Sequence, residues 1–298
     1  MGINWRMDLK SGYARILKEH VSLAALSALG VGGEAEFFVE PDGLNEVCDI
    51  FRLRKADFPI YILGGGTNVV FSDGELSGVT LSTRRLRGMY WDGEFLEAEA
   101  GVSMPLIVLE ALKRCLAGAE FAYGIPGSLG GAVIGNAGAG GRGVSDILEE
   151  VTTVERDGSV KKWHRDEFSG SYRSFSLFSP DRFIARCKIR FHNSSREKIE
   201  REMEVFKKAR AGQPKEGGNA GCTFKNPKGD SAGRLLDISG CKGLRVGGAV
   251  VSGVHANFII NSGDASGKDI AELIGRCREM VFQKTGICLE NEIKLLGF

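Results

Sequence analysis

Hydrophobic residues recur along this chain with two different periods. Between residues 44 and 51, and again between 270 and 281, they recur every three or four positions, which predicts amphipathic helices. Between residues 183 and 191 apolar side chains alternate with basic ones, which predicts a strand with one buried face. Strands and helices follow one another without a regular strand–helix–strand repeat, so the pattern favours an α+β fold.

Further elements follow from shorter signals. Apolar runs predict strands at residues 35–39, 60–63, 69–71, 79–82, 95–100, 257–261 and 293–296. Asp157-Gly158 predicts a hairpin that joins strands at 151–155 and 160–163. Helices are predicted at 13–19, at 197–210, at 267–284 behind a Ser266/Asp269 cap, and after Ser103, running through the leucines of 106–116 and closing near Gly118.

Two glycine-rich segments interrupt this pattern. Residues 124–143 include nine glycines, and residues 64–68 read GGGTN directly after an apolar strand. Glycine leaves backbone N–H groups open to an anion such as a diphosphate, although a tight structural loop would also explain the enrichment. Neither segment is the G-x-G-x-x-G that opens a helix in a dinucleotide fold, and neither is a P-loop. The pair suits a long ligand with a pyrophosphate, such as FAD.

Composition narrows the class of protein. With 43% hydrophobic and 26% charged residues in 298, a soluble chain with two or three compact units is expected. The net charge of +1 and the lack of a basic block argue against nucleic-acid binding. No leader and no long apolar run is present, so we expect a cytoplasmic protein without membrane contact. Seven scattered cysteines and four dispersed histidines predict neither a disulfide framework nor a metal site.

Seven ordered motifs resemble the UDP-N-acetylenolpyruvoylglucosamine reductases, the flavoenzymes that make UDP-N-acetylmuramate. They are YILGGGTNVVFSD at 61–73, GIPGSLGGAVIGNAGAGG at 124–141, YRSF at 172–175, RAGQP at 210–214, NAGCTFKNP at 219–227, HANFIIN at 255–261 and LENEIKLLG at 289–297. No inserted loop lies near Tyr172, which resembles the shorter of the two family types.

The resemblance implies a vanillyl-alcohol-oxidase-like (PCMH-type) fold. Residues 1–29 would form a lead-in, residues 30–194 an FAD-binding domain with subdomains at about 30–82 and 83–194, and residues 195–298 a C-terminal α+β substrate domain. It implies reduction of non-covalently bound FAD by NADPH, then reduction of the enolpyruvyl group of UDP-N-acetyl-3-O-(1-carboxyvinyl)glucosamine. The expected enzyme is a cytoplasmic monomer in peptidoglycan synthesis, hence in cell wall biogenesis, cell shape and cell division.

Three catalytic residues are implied by the matching motifs. Arg173 matches the family's arginine, whose forked guanidinium suits a carboxylate. Glu292 matches its carboxylic acid, which helps only when protonated and therefore needs a raised pKa. Cys222 stands where the family usually has a serine that protonates the carbanion, and a thiol, with a reference pKa of about 8.5, delivers a proton more readily than an alcohol. Without the resemblance, a surface salt bridge, a solvated acid and a buried apolar cysteine would explain these three residues.

The resemblance also assigns binding residues. The FAD set is Gly64, Gly65, Gly66, Thr67, Asn68, Gly124, Pro126, Gly127, Ser128, Gly131, Ala132, Asn136 and Ala137. The substrate set is Tyr172, Arg210, Gln213, Lys225, Asn226 and Lys242. The family usually has a basic residue where Gly30 stands, so we assign Gly30 no role.

Two other functions remain open at the level of sequence. An oxidase of the same flavin fold would act on a sugar or alcohol and often tethers its flavin through histidine, which is absent from residues 124–143. A non-catalytic regulator would bind a UDP-sugar without flavin turnover. The oxidase would leave Arg173 together with Glu292 unexplained.

Overall fold

The computed structural model describes residues 5–53, 58–214 and 217–298. In these ranges the α-helices are α1 (Trp5–Tyr13), α2 (Leu44–Leu53), α3 (Met104–Lys113), α4 (Leu129–Ile134), α5 (Arg196–Ala209), α6 (Ala232–Ile238) and α7 (Gly267–Thr285). The strands are β1 (Leu17–Ser22), β2 (Glu34–Val39), β3 (Ile60–Leu63), β4 (Val69–Phe71), β5 (Leu76–Ser82), β6 (Met89–Asp92), β7 (Phe95–Glu99), β8 (Leu116–Ala117), β9 (Gly138–Ala139), β10 (Arg142–Gly143), β11 (Leu148–Val154), β12 (Val160–His164), β13 (Gly170–Ser171), β14 (Ser174–Phe175), β15 (Phe183–Arg190), β16 (His192–Asn193), β17 (Arg245–Val246), β18 (Ala249–Val251), β19 (Ile259–Asn261) and β20 (Lys294–Leu296).

The strongly periodic elements are confirmed. Helix α7 begins behind Ser266, whose Oγ accepts a hydrogen bond from the Asp269 N–H at 3.0 Å, while Asp269 accepts from the Ser266 N–H at 2.9 Å. It ends at Gly286, which has a left-handed φ of +74°. Strand β15 buries Cys187 and Ile189, exposes Arg186 and Arg190 on either side of them, and leaves Lys188 half-buried between them, which agrees with the predicted alternation.

Two helix predictions are wrong, the first entirely and the second at its C-terminal end. Residues 13–19 do not form a helix, because α1 already ends at Tyr13 and β1 begins at Leu17. Helix α3 stops at Lys113, so Leu116 lies in β8 and Gly118 does not close the helix. The face that α3 buries is Met104, Ile107, Val108 and Ala111, whereas Leu106 and Leu109 are 44% exposed. Helix α3 has apolar side chains on all of its faces, so its own pattern does not determine which face is buried. Packing against the rest of the protein determines it.

The described chain divides into two compact units. Unit 1 consists of Met1–Glu19, Phe37–Gly65 and Gly78–Ala211, and unit 2 of His20–Glu36, Gly66–Ser77 and Gly212–Phe298. The chain therefore passes from one unit to the other within β1, β2 and β5, after Gly65, and after Ala211.

Unit 1 contains a five-stranded antiparallel sheet and two hydrophobic cores. The strand order of the sheet is β12-β11-β15-β7-β6, and the predicted β11–β12 hairpin is confirmed. One core joins this sheet to α3, α4 and α5 around Phe121, Leu129 and Ile199. The second core packs α1 and α2 against β3 and β5, which pair in parallel within the four-stranded sheet β1-β2-β5-β3.

Unit 2 has its own core between two helices and short strands. Strands β17, β18 and β19 form an antiparallel sheet, and β20 pairs in parallel with β4, so that Lys294 lies opposite Val69. Helices α6 and α7 pack on these strands through Leu235, Leu273 and Val281. The parallel β4–β20 pair matters for the site, because it joins the segment after the GGGTN turn to the C-terminal segment.

Candidate functional site

The two glycine-rich segments meet within unit 1. A Cβ atom on Gly65 would lie 2.8 Å from the Gly127 Cα, and one on Gly64 would overlap the Ser128 Oγ. No side chain fits between the backbones of Gly65 and Gly127, so Gly65 requires glycine, whereas a side chain at position 64 would displace the Ser128 hydroxyl. Folding thus brings together two turns that lie about sixty residues apart in sequence, as the FAD prediction requires.

Backbone donors accumulate at this junction. The Gly127 carbonyl accepts from the Met104 N–H at 3.0 Å, and the Leu129 N–H donates to the Val102 carbonyl at 2.8 Å. Within the described ranges, however, the N–H groups of Gly64, Gly65, Gly127 and Ser128 donate to no backbone carbonyl. Such N–H groups in a glycine-lined junction suit the oxygen atoms of a pyrophosphate. The residues present therefore fit the cofactor that the resemblance implies.

The turn continues into unit 2 with Gly66, Thr67 and Asn68. Gly66 has a φ of +69°, its carbonyl accepts from the Ala28 N–H at 2.9 Å, and a Cβ on it would overlap the Leu26 carbonyl oxygen. Thr67 is half-buried and Asn68 is exposed.

The longer glycine-rich segment contains a helix that we did not predict. Helix α4 begins at Ser128, whose Oγ accepts from the Gly131 N–H at 3.5 Å, and it buries Leu129 and Val133. Gly131 and Ala132 therefore lie in a helix rather than in a loop. The serine followed by closely spaced apolar residues was the available signal. At the start of the segment, Gly124 (φ +76°) and Pro126 are exposed.

The part of the segment that follows α4 is tied to the hairpin that carries Arg173. Asn136 is buried and donates through Nδ2 to the Ser171 carbonyl at 2.8 Å. Ala137, which follows it, donates to the Ala132 carbonyl at 2.7 Å. Strands β13 and β14 form the hairpin, with Tyr172 and Arg173 in its turn. Arg173 is half-buried, has a φ of +54°, and places its guanidinium carbon 5.2 Å from the centre of the Tyr172 ring.

Cys222 and Glu292 are brought together within unit 2. The carbonyl of Thr223, the next residue after Cys222, accepts from the Glu292 N–H at 2.8 Å, and both predicted catalytic side chains are half-buried. The Asn68 Nδ2 donates to the Glu292 carbonyl at 3.2 Å. Asn68, Thr223 and Glu292, which belong to three separate motifs, are therefore joined by hydrogen bonds.

Asn257 holds this arrangement, although no feature of the HANFIIN motif distinguishes it from its neighbours before the structure is known. Its side chain accepts from the Phe224 N–H at 2.9 Å and donates to the Phe224 carbonyl at 2.8 Å. Its own carbonyl accepts from the Thr223 N–H at 2.8 Å. The amide of Asn257 thus mimics a strand beside residues 223–224 and fixes the backbone next to Cys222.

The predicted substrate residues are distributed over both units. In unit 1, Tyr172 is exposed and Arg210 lies against Gly124, where a Cβ would be 3.4 Å from the Arg210 Cδ. In unit 2, Lys225 is close to the Cys222 segment and pairs with Glu290 at 3.1 Å, and Gln213 is half-buried.

The last two substrate candidates lie at opposite ends of α6. Asn226 accepts from the Ala232 N–H at 3.0 Å at the start of the helix, and Lys242 follows its end and pairs with Asp237 at 2.8 Å. Gly30, where the family pattern has a basic residue, has a left-handed φ of +67°, which suits glycine.

The described ranges contain neither a metal site nor a membrane-spanning helix. No three histidine, cysteine, aspartate or glutamate side chains in them are arranged to hold a metal ion. None of the helices in the same ranges is both long and apolar enough to cross a bilayer.

Comparison with known proteins gives matches over nearly the whole chain. Residues 35–163 match the family model "FAD binding domain", and residues 213–296 match "UDP-N-acetylenolpyruvoylglucosamine reductase, C-terminal domain". The UDP-N-acetylenolpyruvoylglucosamine reductase of Clostridium novyi is 35% identical over 94% of this chain and 92% of that protein. The one from Geobacter metallireducens is 40% identical over 92% of each.

Solved structures give the same result for the fold. The crystal structure of UDP-N-acetylenolpyruvylglucosamine reductase from Thermus caldophilus matches with a TM-score of 0.82 and 35% identity, covering 94% of this chain and 99% of that one. Berberine bridge enzyme matches with a TM-score of 0.51 and 14% identity over 65% of this chain and 44% of that one, which concerns the fold alone. The predicted α+β, PCMH-type FAD-binding fold is confirmed.

Proposed function

The chain belongs to the UDP-N-acetylenolpyruvoylglucosamine reductase family, and from this membership we propose how its own residues perform the reaction. It is an FAD-containing oxidoreductase that reduces the enolpyruvyl group of its UDP-sugar in peptidoglycan synthesis. We propose further that NADPH is the electron donor and that the enzyme works as a cytoplasmic monomer. Its contribution to cell shape and cell division would follow from precursor supply.

The cofactor is proposed to lie on the glycine-rich segments. The N–H groups of Gly64, Gly65, Gly127 and Ser128, which donate to no backbone carbonyl of the described residues, would bind the pyrophosphate of FAD. When bound, FAD supplies the transfer of a hydride from NADPH to the methylene carbon of the substrate. We propose non-covalent binding, since residues 124–143 contain no histidine. Residues 30–194 would then serve as the FAD-binding domain and residues 195–298 as the substrate domain.

Arg173 is proposed to stabilise the charge that the reaction creates. Hydride addition to the methylene carbon leaves an electron pair on the neighbouring carbon, beside a carboxylate. A guanidinium offers two parallel N–H donors to such a carboxylate and keeps its charge at every relevant pH. The left-handed backbone of Arg173 in a tight turn holds the residue in an uncommon conformation, which is typical of functional positions.

Cys222 and Glu292 are proposed to complete the reaction. Glu292, in its neutral form, would donate a hydrogen bond to the enolate oxygen. The Cys222 thiol would give its proton to the carbon that bears the electron pair, leaving a thiolate that solvent reprotonates. The observation that supports this most directly is the bond between the Thr223 carbonyl and the Glu292 N–H, which holds the two side chains on adjacent segments.

The UDP-sugar is proposed to contact polar and cationic side chains around these residues. The candidates are Tyr172, Arg210, Gln213, Lys225, Asn226 and Lys242. Cations among them would neutralise the diphosphate of the substrate. Lys225 is the best placed of the unit 2 candidates, since its neighbour Glu290 lies two residues from Glu292.

The test is NADPH oxidation by the purified yellow protein with and without UDP-N-acetyl-3-O-(1-carboxyvinyl)glucosamine. We expect oxidation that depends on the substrate and a product that has gained one hydride and one proton. Turnover of a sugar or alcohol with oxygen instead would identify an oxidase. Binding of the UDP-sugar without any change in flavin absorbance would identify a regulator. Acid denaturation should release FAD into solution.

A further inference from the structure

The side chain of Asn136 is hydrogen-bonded at both ends inside unit 1. Its Nδ2 donates to the Ser171 carbonyl at 2.8 Å, and its Oδ1 accepts from the Ser145 N–H at 2.9 Å. The residue is 7% exposed and has a φ of +38°, a left-handed conformation that few residues other than glycine, asparagine and aspartate adopt. A buried amide with both ends bonded locks the segments that it joins.

The space around this amide is shaped by two glycines. A Cβ on Gly143 would lie 2.6 Å from the Asn136 Oδ1, and one on Gly170 would lie 2.8 Å from the Asn136 Nδ2. Both distances are too short for a real side chain, so neither Gly143 nor Gly170 can be replaced without moving the amide. Glycine at positions 143 and 170 therefore makes room for the Asn136 amide.

The carbonyl that Asn136 binds belongs to the hairpin of Arg173. Strands β13 and β14 pair only Gly170 with Phe175 and Ser171 with Ser174, and Tyr172 and Arg173 form the turn between them. A hairpin this short is not stable by itself. The Asn136 bond anchors it two residues before Arg173, at the last paired position.

We propose that Asn136 is a positioning residue for Arg173: its amide fixes the hairpin turn and thereby the direction of the guanidinium toward the substrate carboxylate. Because Asn136 lies in the glycine-rich segment, two residues after α4, the same amide joins the backbone proposed to hold the cofactor to the residue proposed to stabilise the enolate. This inference rests on the catalytic role of Arg173 proposed above.

The substitution Asn136→Asp isolates the proposed contact. It keeps the size, the tolerance of a left-handed φ, and an acceptor for the Ser145 N–H. It removes the N–H donor and sets a carboxylate oxygen against the Ser171 carbonyl. Asn45→Asp, at an exposed position of α2, is the matched control for the same chemical change.

We expect two results from Asn136→Asp. Reoxidation of the NADPH-reduced flavin by the UDP-sugar should slow by about 100-fold, the typical cost of misplacing a catalytic group by about 1 Å, and this loss should exceed any loss in the rate of flavin reduction by NADPH. Amide hydrogen exchange in residues 170–175 should become faster, whereas exchange in the β11–β12 hairpin stays the same. Asn45→Asp should change neither quantity.

Arg173→Ala separates this inference from the function on which it rests. If Arg173→Ala reoxidises at the wild-type rate, the role of Arg173 is wrong. If Arg173→Ala is slow but Asn136→Asp has wild-type reoxidation and exchange, the inference alone fails. The double variant should be no slower than Arg173→Ala, because Asn136 acts through the arginine; additive losses would overturn the proposal. Should Asn136→Asp not fold, Asn136→Gly, which suits the φ of this position, replaces it in every comparison.

Discussion

Removing the thiol of Cys222 should separate the two halves of the reaction. Cys222 lies between Gly221, with a φ of +76°, and Thr223, whose N–H and carbonyl are bonded to Asn257 and Glu292. These bonds involve backbone only, so Cys222→Ala and Cys222→Ser should leave the segment in place. Because the side chain is half-buried, we expect a small loss of folding stability, about 1 kcal/mol or less.

The size of the kinetic effect follows from the proposed proton transfer. A positioned general acid contributes about 10²–10⁴ in rate, which corresponds to about 3–5 kcal/mol of activation free energy. Cys222→Ala should therefore slow reoxidation by that factor. Cys222→Ser keeps an O–H donor in the same place and should lose less. Reduction of the flavin by NADPH needs no proton from this residue and should remain fast in both variants.

Anaerobic stopped-flow absorbance measures the two steps separately. The flavin is first reduced with NADPH and then mixed with the UDP-sugar, and the return of the oxidised absorbance gives the reoxidation rate. Cys288→Ala, which removes an exposed thiol from the same unit, is the control. Wild-type reoxidation by Cys222→Ala would refute the proton-donor role, and slow reduction by NADPH in that variant would indicate a damaged flavin site instead.

Two further predictions concern the GGGTN turn and the dependence of folding stability on pH. Gly66→Ala should lower the ratio of bound FAD to protein, because its Cβ would overlap the Leu26 carbonyl oxygen. Gly93 also has a left-handed φ, of +55°, but faces open space, so Gly93→Ala should cost only the backbone strain of about 1–2 kcal/mol and keep FAD. Equal loss of FAD in both variants would contradict this prediction. Burial lowers the pKa of His255 below its ordinary 6.5, so the unfolded chain binds that proton more readily and stability should fall as pH drops below 6.5. In His255→Gln the urea midpoint of unfolding should no longer fall with pH below 6.5. In His192→Gln, which changes an exposed histidine, the midpoint should still fall. A midpoint that falls equally in His255→Gln would show that another group causes the pH dependence.

Much of the site could be predicted from local sequence. No structure is needed to identify the GGGTN turn, the glycine-rich segment and the motifs around Cys222 and Glu292. Each of them can be identified from a few consecutive residues. The contact between Gly65 and Gly127 could not be derived in the same way. Sequence suggests that both turns serve one ligand, but only folding shows that their backbones touch.

Sequence periodicity by itself determined the type of the strongly patterned elements, such as α7 and β15, since period and capping act within a few residues. Membership of the reductase family also follows from the order of its motifs. Tertiary structure alone decided which face α3 buries, that a helix lies inside the glycine-rich segment, and that Asn136 binds the hairpin of Arg173. These features depend on which distant segments pack together, and burial against them outweighs the small local preferences of each residue.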